Sequence, residues 1–208
     1  MEMQETGNAI AQYLPAIISA IGTIVAAFFA YNQYTKNKMT DVKIEKWKEE
    51  EKIKASARSD SYAIIFGELW DILHTLRACR VYIIQPHPLS DNKYLSVALE
   101  VNRKGISKMK PDMHQIPMAE VAVFSRALVQ NDFLYFANVQ EIEDKRTRGI
   151  LASKGTHTAF IKQLTDGKRW VGNIVCEYTR STNPDREKAE KLMKTKANTI
   201  GYILPEFQ

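Results

Sequence analysis

From Ala9 to Tyr31 the chain reads AIAQYLPAIISAIGTIVAAFFAY, and no charged residue occurs between Glu5 and Lys36. No other feature constrains the fold so strongly. A helix needs ~20 mostly apolar residues to cross the hydrocarbon core of a bilayer. The run has that length, so the sequence predicts one transmembrane helix over 9–31. A cleaved signal peptide has a basic leader and a short apolar core. The first eight residues carry Glu2 and Glu5 but no Lys or Arg, which favours an uncleaved anchor. Tyr13 at one end and Tyr31 and Tyr34 at the other fit the aromatic belts of a membrane interface. Pro15 falls in the first turns, where a missing N–H is tolerated.

The run carries a second pattern. Gln12, Ser19 and Ala26 are spaced by seven, and Ala16, Thr23 and Ala30 interleave with them four residues on. Together they form one seam of small or weakly polar side chains. Helices in lipid associate by close packing of small residues and by hydrogen bonds from Ser, Thr or Gln. The seam therefore predicts a helix–helix interface and a homo-oligomer in the lipid bilayer.

The expected organisation is a short tail (1–8), the span (9–31), a charged helical stalk (32–59) and an α/β domain (60–208). The net charge is +5, and Lys36, Lys38, Lys43, Lys46 and Lys48 cluster just after the span. Such a cluster suits anionic headgroups. Nucleic-acid binding calls for a basic face with stacking aromatics or a recognised motif. Neither is legible, so no nucleic-acid partner is predicted. In the stalk Glu50 and Lys54 form a favourable i,i+4 pair, while Glu45 and Glu49 repel. Ile44, Trp47 and Ile53 give only a thin apolar stripe.

The domain has a readable element order. Tyr62, Ile65, Phe66, Leu69, Ile72, Leu73 and Leu76 follow helical spacing, with Ser59 or Asp60 as the cap. CRVYIIQ (79–85) is rich in β-formers and ends at Pro86 and Pro88. In YLSVALEVN (94–102), Leu95, Val97, Leu99 and Val101 alternate onto one face, the mark of a strand. After Pro117, MAEVAVFSRALVQ reads as a helix, and FLYFANV (133–139) as a strand. Residues 140–155 are charged and read as a loop or short helix. TAFIKQL and RWVGNIVCEYT flank Asp166-Gly167, a hairpin signal. Asn183-Pro184-Asp185 opens a last helix to about Ile203. The order implies an α+β layer fold with a mainly antiparallel sheet of about five strands, the first and last helices on one face.

No catalytic constellation emerges, so the chain reads as a non-enzyme without catalytic, cofactor-binding or metal-binding residues. His74, His87, His114 and His157 lie on different predicted elements, with no partner at metal-ligand spacing. Ser153-Lys154-Gly155 lacks the upstream Gly and the strand-to-helix setting of a phosphate loop. Glu141, Glu143 and Asp144 read as a solvated run. Cys79 and Cys176 set no framework. They pair only in an oxidising compartment, and two buried thiols are the simpler reading. One candidate pocket remains on RVYIIQPH. There Arg80, Tyr82, Gln85 and His87 place polar groups on a strand and at its end.

The element order resembles that of GAF/PAS-like superfolds, and RVYIIQPH is compatible with GAF-like membrane-tethered proteins. The chain as a whole also resembles the single-span holins of T-even-type bacteriophages. That resemblance rests on the order of short N-terminus, span, charged stalk and mixed domain. YLSVALEVNRKGIS, HQIPMAEVAVFSRALVQNDFLYFAN and RWVGNIVCEYTRSTNPDREKAEKLMKTKANTIGYIL supply the strands and helices of the domain. The holin resemblance implies oligomers in the bacterial inner membrane that permeabilise it to time host lysis, and a regulatory, antiholin-like partner. It places the C-terminal domain in the periplasm, whereas the Lys distribution favours the cytoplasm, and the side stays open. The GAF-like resemblance implies the alternative, a membrane-anchored sensor or scaffold domain without catalytic activity.

Overall fold

The computed structural model describes the backbone of residues 2–207 and the side chains of 19, 22, 23, 25–36, 38–40 and 43–207. The chain divides into two compact units, Met1–Ser56 and Ala57–Gln208. Helix α1 (Glu2–Thr75) supplies the first unit and the opening of the second.

In the first unit the expected transmembrane helix is corrected. Among the described residues, no helix is long and apolar enough to cross a membrane. Gln12 and Ala16 of the expected seam lie outside the described side chains. Ser19, Thr23, Ala26 and Ala30 are exposed. The Thr23 hydroxyl donates back to the carbonyl of Ser19 at 2.9 Å, an intrahelical bond that occupies its proton. The bilayer partnership, the membrane homo-oligomer and the single-pass inner-membrane location lose the span they rested on.

The second unit is built on a six-stranded antiparallel sheet. Its strands are β1 (Arg80–His87), β2 (Tyr94–Asn102), β3 (Ile116–Pro117), β4 (Phe133–Phe136), β5 (Thr158–Thr165) and β6 (Trp170–Tyr178). The order across the sheet is β3-β2-β1-β6-β5-β4. The expected count of about five strands is corrected by β3. That strand is two residues long, Tyr94 facing Pro117 and Leu95 facing Ile116, too short to leave an alternation in the sequence.

The first face of the sheet is closed by two helices. From α1, Ile65, Leu69, Ile72 and Leu73 are fully buried; from α4 (Arg186–Ile203), Ala189, Met193 and Ile200 meet them over Val81, Ile83, Phe160 and Ile174. Phe66, expected on the buried face of α1, is 37% exposed and lies off it. No helix begins at Ser59 or Asp60, because α1 runs through both. Lys196 of α4 bridges Glu68 and Asp71 of α1 at 2.6 and 2.5 Å.

The second face is closed by the loop after β2, by α2 (Ala122–Gln130) and by α3 (Lys145–Ser153). Met109, Met113, Phe124, Leu128, Ile142 and Leu151 fill it against Tyr82, Ile84, Val97 and Val175. The alternation expected for β2 is split by a bulge. Ile83 pairs with Leu99 and Ile84 with Val97, so Ala98 is the extra residue. One inserted residue inverts the face of everything beyond it. Leu99 and Val101 therefore serve the first core, and Leu95 and Val97 the second.

Local chemistry sets the ends of the elements. The β5–β6 turn holds Gly167 at φ +91°, a left-handed conformation that suits glycine, and Asp166 Oδ1 accepts from the Arg169 N–H at 3.1 Å. Asp144 caps α3 through the Thr147 N–H at 2.8 Å. The cap of α4 is Asp185, which accepts from the Lys188 N–H at 3.0 Å; Asn183 and Pro184 stand before it. Asp185→Ala is expected to cost ~1 kcal/mol, read as a lower urea midpoint for the full chain. Asn183→Ala serves as the neutral control.

Candidate functional site

Strand β1 is buried along its whole length, so its polar side chains have to find partners inside the protein. Alternation sends Arg80 and Tyr82 to the second face and Val81 and Ile83 to the first. In the register of β1 with β6, Arg80 stands opposite Glu177, and both side chains are fully buried. Arg80 Nε donates to Glu177 Oε2 at 2.9 Å, and Nη2 adds a second bond to the same carboxylate. Nη2 also reaches Thr156 Oγ1 at 3.0 Å, and Nη1 the carbonyl of Ser107 at 2.6 Å. The Thr156 hydroxyl donates to Glu177 Oε2 at 2.8 Å. The Tyr82 hydroxyl donates to the other oxygen, Oε1. Both carboxylate oxygens and all three guanidinium nitrogens are engaged. Burial works against the charge on Arg80, but Glu177, Tyr82 and Glu100 together outweigh it and hold the guanidinium above its ordinary range. Next along the sheet, Glu100 accepts from the Met109 and Lys110 N–H groups at 2.7 and 3.0 Å, tying down the loop that covers the second face.

The other end of β1 is a separate group. Gln85 Nε2 donates to the carbonyl of Pro205 at 2.9 Å. His87 Nε2 lies 2.8 Å from Ser96 Oγ. Its ring stacks on Tyr94 and Phe207, centroids 5.6 and 4.5 Å away. Burial, with His114 beside it, lowers the His87 pKa, so the neutral ring is favoured. The residues of the candidate pocket thus divide into two groups, Arg80 with Tyr82 and Gln85 with His87. Each of the four has an internal partner.

Glu177 and Thr156 complete the buried network and were not singled out from the sequence. A signal for Glu177 existed. It is the one charged residue within VGNIVCEY, and a carboxylate in a buried strand demands a cation. Thr156 left no such trace. A small groove lies outside the network, between α2 and β4. Val123, Phe124, Leu134 and Phe136 line it, and Glu141 and Glu143 stand at its rim. Its volume is about 220 Å³, below the ~300–1,000 Å³ of usual ligand pockets. Among the described residues, no group of three or more His, Cys, Asp or Glu is placed to hold a metal ion. Cys79 and Cys176 are free thiols.

The buried acids make stability pH-dependent. Burial pushes the Cys176 thiol and the Tyr82 and Tyr178 hydroxyls well above their ordinary values of 9.0 and 10.0. Below the ordinary values these groups are neutral in both folded and unfolded chains, and their contribution is fully present. Above them the unfolded chain sheds protons first, so stability falls as pH rises. Under reducing conditions the urea midpoint is expected to hold from about pH 7 to 8.5 and to drop by about pH 10.5. In Cys176→Ala the drop should begin about one unit higher, where only the tyrosines remain.

No family model matches this sequence, and no curated protein matches it. Solved structures do. A domain of a two-component sensor histidine kinase protein from Sinorhizobium meliloti superposes with a TM-score of 0.52 at 14% identity, covering 67% of this chain and 88% of that one. The photoproduct state of GAF3 from Slr1393 of Synechocystis gives 0.57 at 12% identity, over 68% and 90% of the two chains. The red/green cyanobacteriochrome NpR6012g4 gives 0.57 at 14% identity, over 70% and 94%. The fold is GAF-like. The shared part is the α+β unit with its six-stranded antiparallel sheet. The holin resemblance is corrected here. The matched structures are GAF and sensor domains, and no spanning helix occurs among the described residues. Membrane permeabilisation, timed host lysis and an antiholin-like regulator fall with it.

Proposed function

We propose that the chain is a non-catalytic GAF-like sensor or scaffold domain. One observation carries this reading. The polar side chains of the central strand, Arg80, Tyr82, Gln85 and His87, are bonded to Glu177, Pro205 and Ser96. A general acid or base has to reach the proton it moves, and a nucleophile needs a neighbouring base; the β1 network offers neither to a ligand. The likeness to a domain of a sensor histidine kinase protein and to cyanobacteriochrome GAF domains supports the sensor side of the reading. The test uses the purified full chain and a fixed panel of nucleotides, amino acids, organic acids and sugar phosphates. Product formation is followed by mass spectrometry and thermal unfolding in the same samples. A sensor is stabilised by a panel member without consuming it, and a scaffold leaves the panel intact and is unaffected by it. Turnover of any member, lost in a folded point variant, would contradict the non-catalytic reading.

A further inference from the structure

A second cavity lies where β1 begins and β2 and β6 end. Three separate stretches of chain meet there: the turn after α1, the turn after β2 and the segment after β6. Each brings a cation. Arg77 comes from the first, Arg103 and Lys104 from the second and Arg180 from the third. Thr179 and Thr182 add hydroxyls, and no carboxylate lines the cavity. None of the four cations takes part in an ion pair among the described residues. Like charges repel, and surface cations are ordinarily interspersed with carboxylates. Four converging on one cleft with no acid among them make a site of strong positive potential.

The walls are fixed by backbone bonds. The Arg103 N–H donates to the carbonyl of Cys79 at 2.9 Å, and Arg103 Nε to that of Ala78 at 2.7 Å. Asn102 Nδ2 closes the turn on the carbonyl of Ile106 at 2.7 Å. The Tyr178 hydroxyl pins the end of α1 through the carbonyl of Leu76 at 2.9 Å. With Nε so occupied, the terminal nitrogens of Arg103 are left to bind a ligand. Guanidinium forks match phosphate oxygens in pairs, and Thr hydroxyls add neutral donors.

We propose that this cleft binds a small phosphorylated molecule carrying at least two negative charges. The cavity measures about 390 Å³, inside the ~300–1,000 Å³ range of ligand pockets. It therefore has room for more than a bare phosphate ion. Single-stranded nucleic acid is disfavoured, because such strands bind by stacking bases on exposed aromatic rings. The one aromatic in the lining, Tyr178, is buried. The cleft adjoins the β1 network, but no residue of that network lines it, so the proposal does not rest on how the network is used.

The test is calorimetric titration of the full chain with pyrophosphate, ribose 5-phosphate, adenosine triphosphate, adenosine and a single-stranded oligonucleotide. At least one of the three small phosphorylated probes is expected to bind, and adenosine is not. Binding should weaken as salt rises. K104Q/R180Q alters two exposed side chains without touching the backbone bonds of the walls, and should weaken binding tenfold or more. R77Q, at a third exposed cation, should weaken it in the same direction. Failure of every phosphorylated probe at millimolar concentration would overturn the proposal. So would equal binding by both folded variants, or an oligonucleotide that binds far more tightly than any small probe.

Discussion

Arg80→Met is expected to lower the stability of the full chain by ~3–5 kcal/mol, because it leaves the Glu177 carboxylate buried without its cation. For a domain of this size the loss is on the order of 10 °C in Tm. Removing both charges is a different experiment. Arg80→Met/Glu177→Leu exchanges a desolvated ion pair for apolar volume, which is often neutral or better. Here the recovery should be partial. The Tyr82 hydroxyl and the Thr156 hydroxyl each lose an acceptor, and the Ser107 carbonyl loses a donor. The measurement is urea unfolding of the three proteins at pH 7. A double variant less stable than Arg80→Met would mean that the remaining polar groups, rather than the unpaired carboxylate, dominate the cost.

Gly201→Ala and Gly67→Ala should shift stability in opposite directions. Both positions are helical, and helix propensity alone favours alanine at each by ~0.5–1 kcal/mol. Around Gly67 nothing lies within 4 Å of an added Cβ, so Gly67→Ala should raise the urea midpoint. At Gly201 the new carbon would overlap the carbonyl oxygen of Thr165 and stand 3.1 Å from its carbon. These are backbone atoms of β5, which cannot rotate aside as a side chain does. The cost is ~1–3 kcal/mol or more, the range of overpacked cores. A stabilised Gly201→Ala would mean that α4 does not approach β5 as closely as described.

What could be read from the sequence was what repeats. The long strands carry β-branched runs bounded by Pro or Gly, Asp166-Gly167 marks its turn, and Asn183-Pro184-Asp185 marks the start of α4. What escaped notice has no period. Strand β3 is two residues. Helix α3 buries little beyond Thr147 and Leu151, so its sequence does not decide between a loop and a short helix. The bulge at Ala98 left no compositional mark, because Leu, Val and Leu continue to alternate while their faces exchange. Glu177 was legible in principle as a charge within a buried strand, but naming Arg80 as its partner required the register of β1 with β6. The apolar run at 9–31 misled for the opposite reason. Its composition spoke strongly, and it pulled the functional reading toward a membrane lesion and away from the domain that follows.

The polar groups of β1 are sealed into the fold by their internal partners. Residue-resolved amide hydrogen exchange on the full chain under native conditions tests it most directly. Amides of Val81–Ile84 and Ile174–Glu177 are expected to exchange only through global unfolding, at the slowest rates in the chain. Fast exchange across those two stretches, with α1 and α4 still protected, would mean that β1 opens to solvent, and would contradict the account.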